Sequence, residues 1–134
     1  MTQPTRAALA GGALTLLAVI GTGSVKAQEI TRTELNRVGL SGSETLEVVV
    51  SRTEIPPGAR VPLHSHSGDE HVLVLQGGPV TMANGNPYSF ETGMTFAIPA
   101  GRVHGGMTAT GSAPVVLYSV SIVEKNEPYS QAAE

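Results

Sequence analysis

From Thr45 onward, Gly, Pro and Asn interrupt this chain at intervals of roughly 8–12 residues, and the runs between them are short and β-branched or apolar. No run carries a sustained 3.6-residue apolar period, so a helix here has no apolar stripe to bury. Thr45–Thr53 holds Leu46, Val48, Val49 and Val50, and Ile55-Pro56-Pro57-Gly58 ends it because two prolines remove ladder donors. Val61–His66 is short and extended, with Pro62 confining it to a strand start or an edge. His71–Gln76 is apolar on both faces, and Gly77-Gly78-Pro79 turns the chain after it. Val80–Ala83 and Tyr88–Phe90 flank the Asn84-Gly85-Asn86-Pro87 turn as a hairpin. Thr95–Ile98, Val103–Thr108 and Val115–Val123 bring the total to about eight predicted strands, the pattern of a β-sandwich or barrel. The polar stretch 28–44 reads as an N-terminal arm or irregular lead-in, and 124–134 as a flexible, frayed C-terminal tail. One small all-β domain over 45–123 is the expectation.

Composition bounds the function. At 134 residues the chain has room for one domain. Its net charge of −3, from eight Lys/Arg against eleven Asp/Glu, contains no basic stripe, which argues against nucleic acid as a partner. The absence of cysteine excludes disulfides, thiolate metal sites and thiol catalysis.

Residues 1–27 have the layout of a secretory signal peptide. Arg6 precedes an apolar run, Ala7 to Ile20, and Val25-Lys26-Ala27 sets small side chains before a cut after Ala27. The run is short for a membrane span, and no Arg-Arg pair supports a twin-arginine route. The expected mature chain, 28–134, loses Arg6 and Lys26 and has six basic against eleven acidic residues, a charge of −5. It is predicted to be periplasmic or secreted, without stable membrane insertion once cleaved. The competing reading is an uncleaved anchor or a tail.

All four histidines, 64, 66, 71 and 104, fall within 41 residues. In an extended strand His64 and His66 project from one face, and two imidazoles side by side are costly to bury unless something satisfies their nitrogens. A metal ion does so. A tight turn through Ser67-Gly68-Asp69, with Asp69 as its cap, brings Glu70 back beside them, and His104 can close the set from a later strand. His71 is out of register with Glu70 and is expected at the surface. Three imidazoles and a carboxylate suit a divalent transition metal (Mn, Fe, Co, Ni, Cu or Zn), and an octahedral ion would keep two positions for water or substrate. Exposed edge-strand histidines are the bland alternative.

These residues resemble a known family. Gly58, five residues, His64-x-His66, three residues, Glu70, six residues, Gly77 is similar at every position to the first motif of the cupin superfamily. Gly93, five residues, Pro99-x-Gly101, two residues, His104 resembles the second, departing where Thr108 stands in place of a frequent Asn. The resemblance implies a jelly-roll β-barrel with His64, His66, Glu70 and His104 as metal ligands in its mouth. Mn, Fe and Ni are frequent in that family. Export instead favours Cu²⁺ or Zn²⁺, which lead the divalent affinity order.

Such a site suits a small metalloenzyme, dioxygenase-like on enol, phenol or dicarbonyl substrates. A metal-assisted lyase or isomerase stays open. So do a non-catalytic module that binds a sugar or anionic ligand through its metal, and a purely structural ion. Glu70, Tyr88, Tyr118 and Arg102 are the candidates for catalytic roles, with Arg60 beside Arg102 as a carboxylate clamp. Met82, Met94 and Met107 read as core or pocket lining. Gly105-Gly106 lacks the helix a phosphate cradle needs. The two-sided apolar strands 71–76 and 115–123 predict a homodimer, to which the arm 28–44 can cross.

Overall fold

Residues 28–134 are described in a computed structural model, and the predicted signal peptide, 1–27, lies outside them. The described residues form ten strands and no helix: β1 Thr31–Gly39, β2 Leu46–Ile55, β3 His64–Ser65, β4 Glu70–Gln76, β5 Gly78–Thr81, β6 Pro87–Phe90, β7 Thr95–Ile98, β8 Thr108–Ala109, β9 Val115–Glu124 and β10 Gln131–Ala132. All pairings are antiparallel. A five-stranded sheet, ordered β1-β2-β9-β4-β7, faces a three-stranded sheet, β6-β5-β8, and β10 pairs with β3. Ile55, Val74 and Val115 from the first sheet pack with Val80, Phe90 and Ala109 from the second in one core, giving an all-β jelly-roll barrel. Fully burying a Val, Ile or Phe side chain contributes roughly 1.5–3 kcal/mol, and packing of this kind holds a chain with no disulfide.

The alternation of β4 decides which end of the barrel is chemical. Glu70, Val72 and Val74 are buried, while His71, Leu73 and Leu75 are exposed. Register then places Glu70 opposite Ser121 on one side and Ile98 on the other, and Ser121 opposite Val49. Two rows further on, Val74 faces Leu117, which faces Thr53. The inner wall is therefore polar at its Glu70–Ser121 end and apolar towards Ile55 and Val115.

Three expectations need correction. The 28–44 segment is not an irregular arm, because it carries β1, a nine-residue edge strand paired along β2. Every β1 residue is exposed, so no face is apolar and no period-2 pattern exists to read. The 124–134 tail is not free: β10 pairs with β3 in the register Gln131↔Ser65 and Ala132↔His64. Val103–Thr108 is not a continuous strand. Gly105, at φ +92°, and Gly106, at φ +72°, break it into a single bridge at His104 and the short β8.

Candidate metal centre

Backbone pairing builds the site before any side chain contributes. His64 and His104 exchange both backbone hydrogen bonds, at 2.9 and 2.8 Å, which sets the two imidazoles side by side with ring centroids 4.2 Å apart. Gly105, next in the chain, lets this approach happen, since a Cβ there would lie 2.4 Å from the Pro62 carbonyl oxygen. The Gly101 N–H donates to the His66 carbonyl at 2.9 Å, and the Ala100 N–H to the Asp69 carboxylate at 2.9 Å. Asp69 thus joins the two motif segments instead of only capping its own turn. That turn is pressed onto β9: the Ile122 N–H reaches the Asp69 carbonyl at 2.9 Å, and a Cβ on Gly68 would sit 1.6 Å from the Ile122 oxygen.

The result is a convergent triad. His64, His66 and His104 offer ligand nitrogens that all lie within 4.8 Å of one another, close enough for one ion. Each Nδ1 stands against a backbone carbonyl: His64 on Pro62 at 2.8 Å, His66 on Tyr129 at 2.6 Å and His104 on Arg102 at 2.9 Å. A carbonyl only accepts, so Nδ1 carries the proton in all three and each neutral ring turns an Nε2 lone pair inward. The Nε2 atoms of His66 and His104 are buried without a hydrogen-bond partner. Buried polar atoms seldom lack partners, and two adjacent lone pairs in that state fit a bound cation.

Glu70 lies beside the triad. Its Oε2 lies 3.4 Å from His66 Nε2 and 3.3 Å from His104 Nε2. Burial pushes its carboxyl up, yet the His104 and His66 imidazoles and the Ser119 hydroxyl outweigh this and hold it well below the usual carboxylate range. Burial pushes His64 down, favouring the neutral ring. Burial acts in the same direction on His104, but Glu70 reverses it and the net shift is upward.

Beside the triad opens a chamber of about 1000 Å³ whose far walls are apolar, including Ile55, Phe90, Phe96 and Leu117. Sequence comparison agrees with this architecture: residues 51–121, more than half of the chain, match the family described as "Cupin domain". The chain belongs to the cupin family. No curated protein matches the sequence of this cupin. Among solved structures, it is similar to a cupin domain from Bordetella pertussis (TM-score 0.55, 22% identity, covering 72% of this chain and 96% of that one). It is also similar to the polyketide cyclase RemF from Streptomyces resistomycificus (0.56, 20%, 81% and 73%). A third is the DMSP lyase DddQ from Ruegeria pomeroyi (0.57, 20%, 83% of this chain but 55% of that one). At these identities the likeness establishes the fold.

The other candidates separate by position. Arg102 and Tyr88 line the cupin's chamber, and the Tyr88 hydroxyl turns to Met94 Sδ at 3.6 Å. Met82, Met94 and Met107 line it too. Tyr118 does not: it sits on the outer face of β9 with His71, Leu73 and Val120, because the inward set of that strand is Leu117, Ser119 and their alternates. This removes Tyr118 as a catalytic candidate. Arg60 is exposed and absent from the chamber wall. The tyrosine that does meet the metal residues is Tyr129, from the supposed tail. Its hydroxyl lies 3.0 Å from Ser121 Oγ and 3.4 Å from Glu70 Oε1. The signal available in sequence was slight, one aromatic after Pro128 in a polar stretch of a chain with only five aromatics.

Proposed function

We propose that this cupin holds one divalent transition-metal ion on His64, His66 and His104, with Glu70 as fourth ligand, and acts on a small, largely apolar enol, phenol or dicarbonyl. One observation supports the reading above others: three imidazoles locked as Nδ1–H tautomers converge beside an apolar chamber of about 1000 Å³. When bound, the ion supplies Lewis acidity and a template for substrate and O₂ or water. The chain's own residues supply the rest. Glu70 stays ionised well into acid, which suits it as an anionic ligand to the ion. Phe90, Phe96 and Leu117 pack the substrate body and exclude water. The reaction class is dioxygenase-like, with both oxygen atoms entering the substrate.

A second reading is a redox-neutral lyase or isomerase that uses Glu70 or a tyrosine as base. The Tyr129 hydroxyl, on the chamber wall 3.4 Å from Glu70, favours it. We further propose that the chain is exported with loss of 1–27 and that it works as a homodimer. Support for the dimer comes from Leu73 and Leu75, which stand 37% and 43% exposed on the outer sheet face.

The deciding experiment is metal content by mass spectrometry on protein recovered from the periplasm, beside the His64→Ala/His66→Ala double variant. Oxygen uptake on panels of phenols, enols and 1,3-dicarbonyls follows. Near-stoichiometric metal absent from the variant, with metal-dependent uptake, is the expected result. Metal without turnover or oxygen uptake on any panel member moves the reading to a binding module, and product without oxygen uptake moves it to the lyase. No metal after reconstitution overturns the metal centre. Intact mass of the same sample checks cleavage after Ala27.

A further inference from the structure

We propose that residues 126–133 form a strap that completes the metal centre, with Tyr129 as its positioning residue; the inference rests on the metal reading above. The strap is laid along β3, the strand that carries His64 and leads directly into His66. Gln131 pairs with Ser65 and Ala132 with His64, and the Ala133 N–H donates to the Leu63 carbonyl at 3.0 Å.

Tyr129 engages the site with each of its parts. Its backbone carbonyl accepts the His66 Nδ1 proton at 2.6 Å. That contact fixes both the ring's orientation and its tautomer, since the alternative tautomer would set a lone pair against a carbonyl oxygen. Its ring meets the His66 ring edge-on, with centroids 4.7 Å apart. Its hydroxyl is within 3.0 Å of Ser121 Oγ and donates to Glu70 Oε1 at 3.4 Å, which leaves Oε2 turned to His66 and His104. Above the ring, 3.4 Å from its centroid, lies the guanidinium of Arg32 from β1. The two ends of the described chain therefore meet over the site, and the exposed edge strand β1 gains a role its pattern did not announce.

Partners of this kind typically govern metal affinity by about 10–100-fold. Three proteins test the proposal by Co²⁺ titration with calorimetry and visible d–d spectra: the unaltered chain, a chain ending at Lys125, and Tyr129→Phe. Removing the strap is expected to weaken Co²⁺ binding by about 10–100-fold and to change the spectrum. Tyr129→Phe keeps the carbonyl, so its affinity should fall by only a few-fold. Its spectrum should still shift, because Glu70 Oε1 loses its donor; a role confined to packing would leave that spectrum unmoved. A folded, shortened chain with the affinity and spectrum of the unaltered one overturns the proposal. Should the shortened chain fail to fold, Tyr129→Phe decides alone, and an unchanged spectrum overturns it. Failure of the unaltered chain to bind Co²⁺ overturns the metal reading itself, whereas equal binding by all three overturns only the strap.

Discussion

His64 and His104, forty positions apart, exchange backbone hydrogen bonds in both directions, N to O at 2.9 Å and 2.8 Å. Two ligand side chains are thereby held by main chain, and the imidazoles are placed whether or not an ion joins them. A site of this kind binds without having to fold around its ligand, which lowers the ordering entropy lost on binding.

The first prediction follows from that pairing. His104→Ala removes a half-buried imidazole whose buried Nε2 lacks a hydrogen-bond partner and leaves the backbone bridge intact. The metal-free stability of the variant should lie within about 1 kcal/mol of the parent in urea unfolding. The parent, at metal one hundred times its Kd, should gain about 2.7 kcal/mol, and the variant should gain none.

Acid should release the metal through the imidazoles and not through Glu70. Glu70 raises His104 above the ordinary imidazole value of 6.5 while burial lowers His64, so His104 takes up a proton before His64 as pH falls, and a protonated ring cannot ligate. The neighbouring imidazoles lower the Glu70 pKa, so it stays ionised below the ordinary glutamate value of 4.5. Its contribution to stability is present above 4.5 and is lost as pH falls from there towards the depressed folded value. Metal titrations across pH should show level affinity in alkali and a fall of at least about tenfold per unit that sets in already above pH 6.5, where His104 takes up its proton. A fall that begins only below pH 4.5 would contradict the assignment.

Gly68→Ala tests the turn that aims Glu70. The added Cβ would stand 1.6 Å from the Ile122 carbonyl oxygen, which is backbone and cannot swing aside. A loss of about 3 kcal/mol or more is expected in urea unfolding, with weakened metal binding in the protein that remains folded. Gly39→Ala, where an added Cβ meets only the Lys125 side chain at 3.7 Å, serves as the control for glycine loss alone and should leave metal affinity unchanged.

Light scattering on the 28–134 chain should return twice the mass of one copy. Leu73→Glu, on the outer face of β4, should return a single copy with metal content unchanged, since that side chain points away from the chamber. A single-copy mass for the parent would end the dimer proposal.

The clustering of the histidines was legible because much of its geometry is local. His64 and His66 share a face by strand periodicity, a short turn returns Glu70, and the motif glycines mark where backbone must bend or approach closely. The barrel was legible for a similar reason: short runs between Gly, Pro and Asn allow little else. What the sequence could not carry was anything decided by which distant segments share a wall. In β9, apolar on both faces, nothing local states whether Tyr118 or its neighbours Leu117 and Ser119 turn inward; pairing with β2 and β4 decides it. The exposed β1 has no face to bury and so no pattern, and only β2 makes it a strand. Tyr129 reaches His66 across 63 residues by a backbone carbonyl, a group every residue has, so its identity held no trace of the contact. The sequence by itself determined the chemistry of the donors and the class of the fold, because these depend on side-chain type and short-range periodicity. Tertiary structure alone decided which tyrosine stands at the metal residues and that the chain's end closes over them, because those are facts of long-range register.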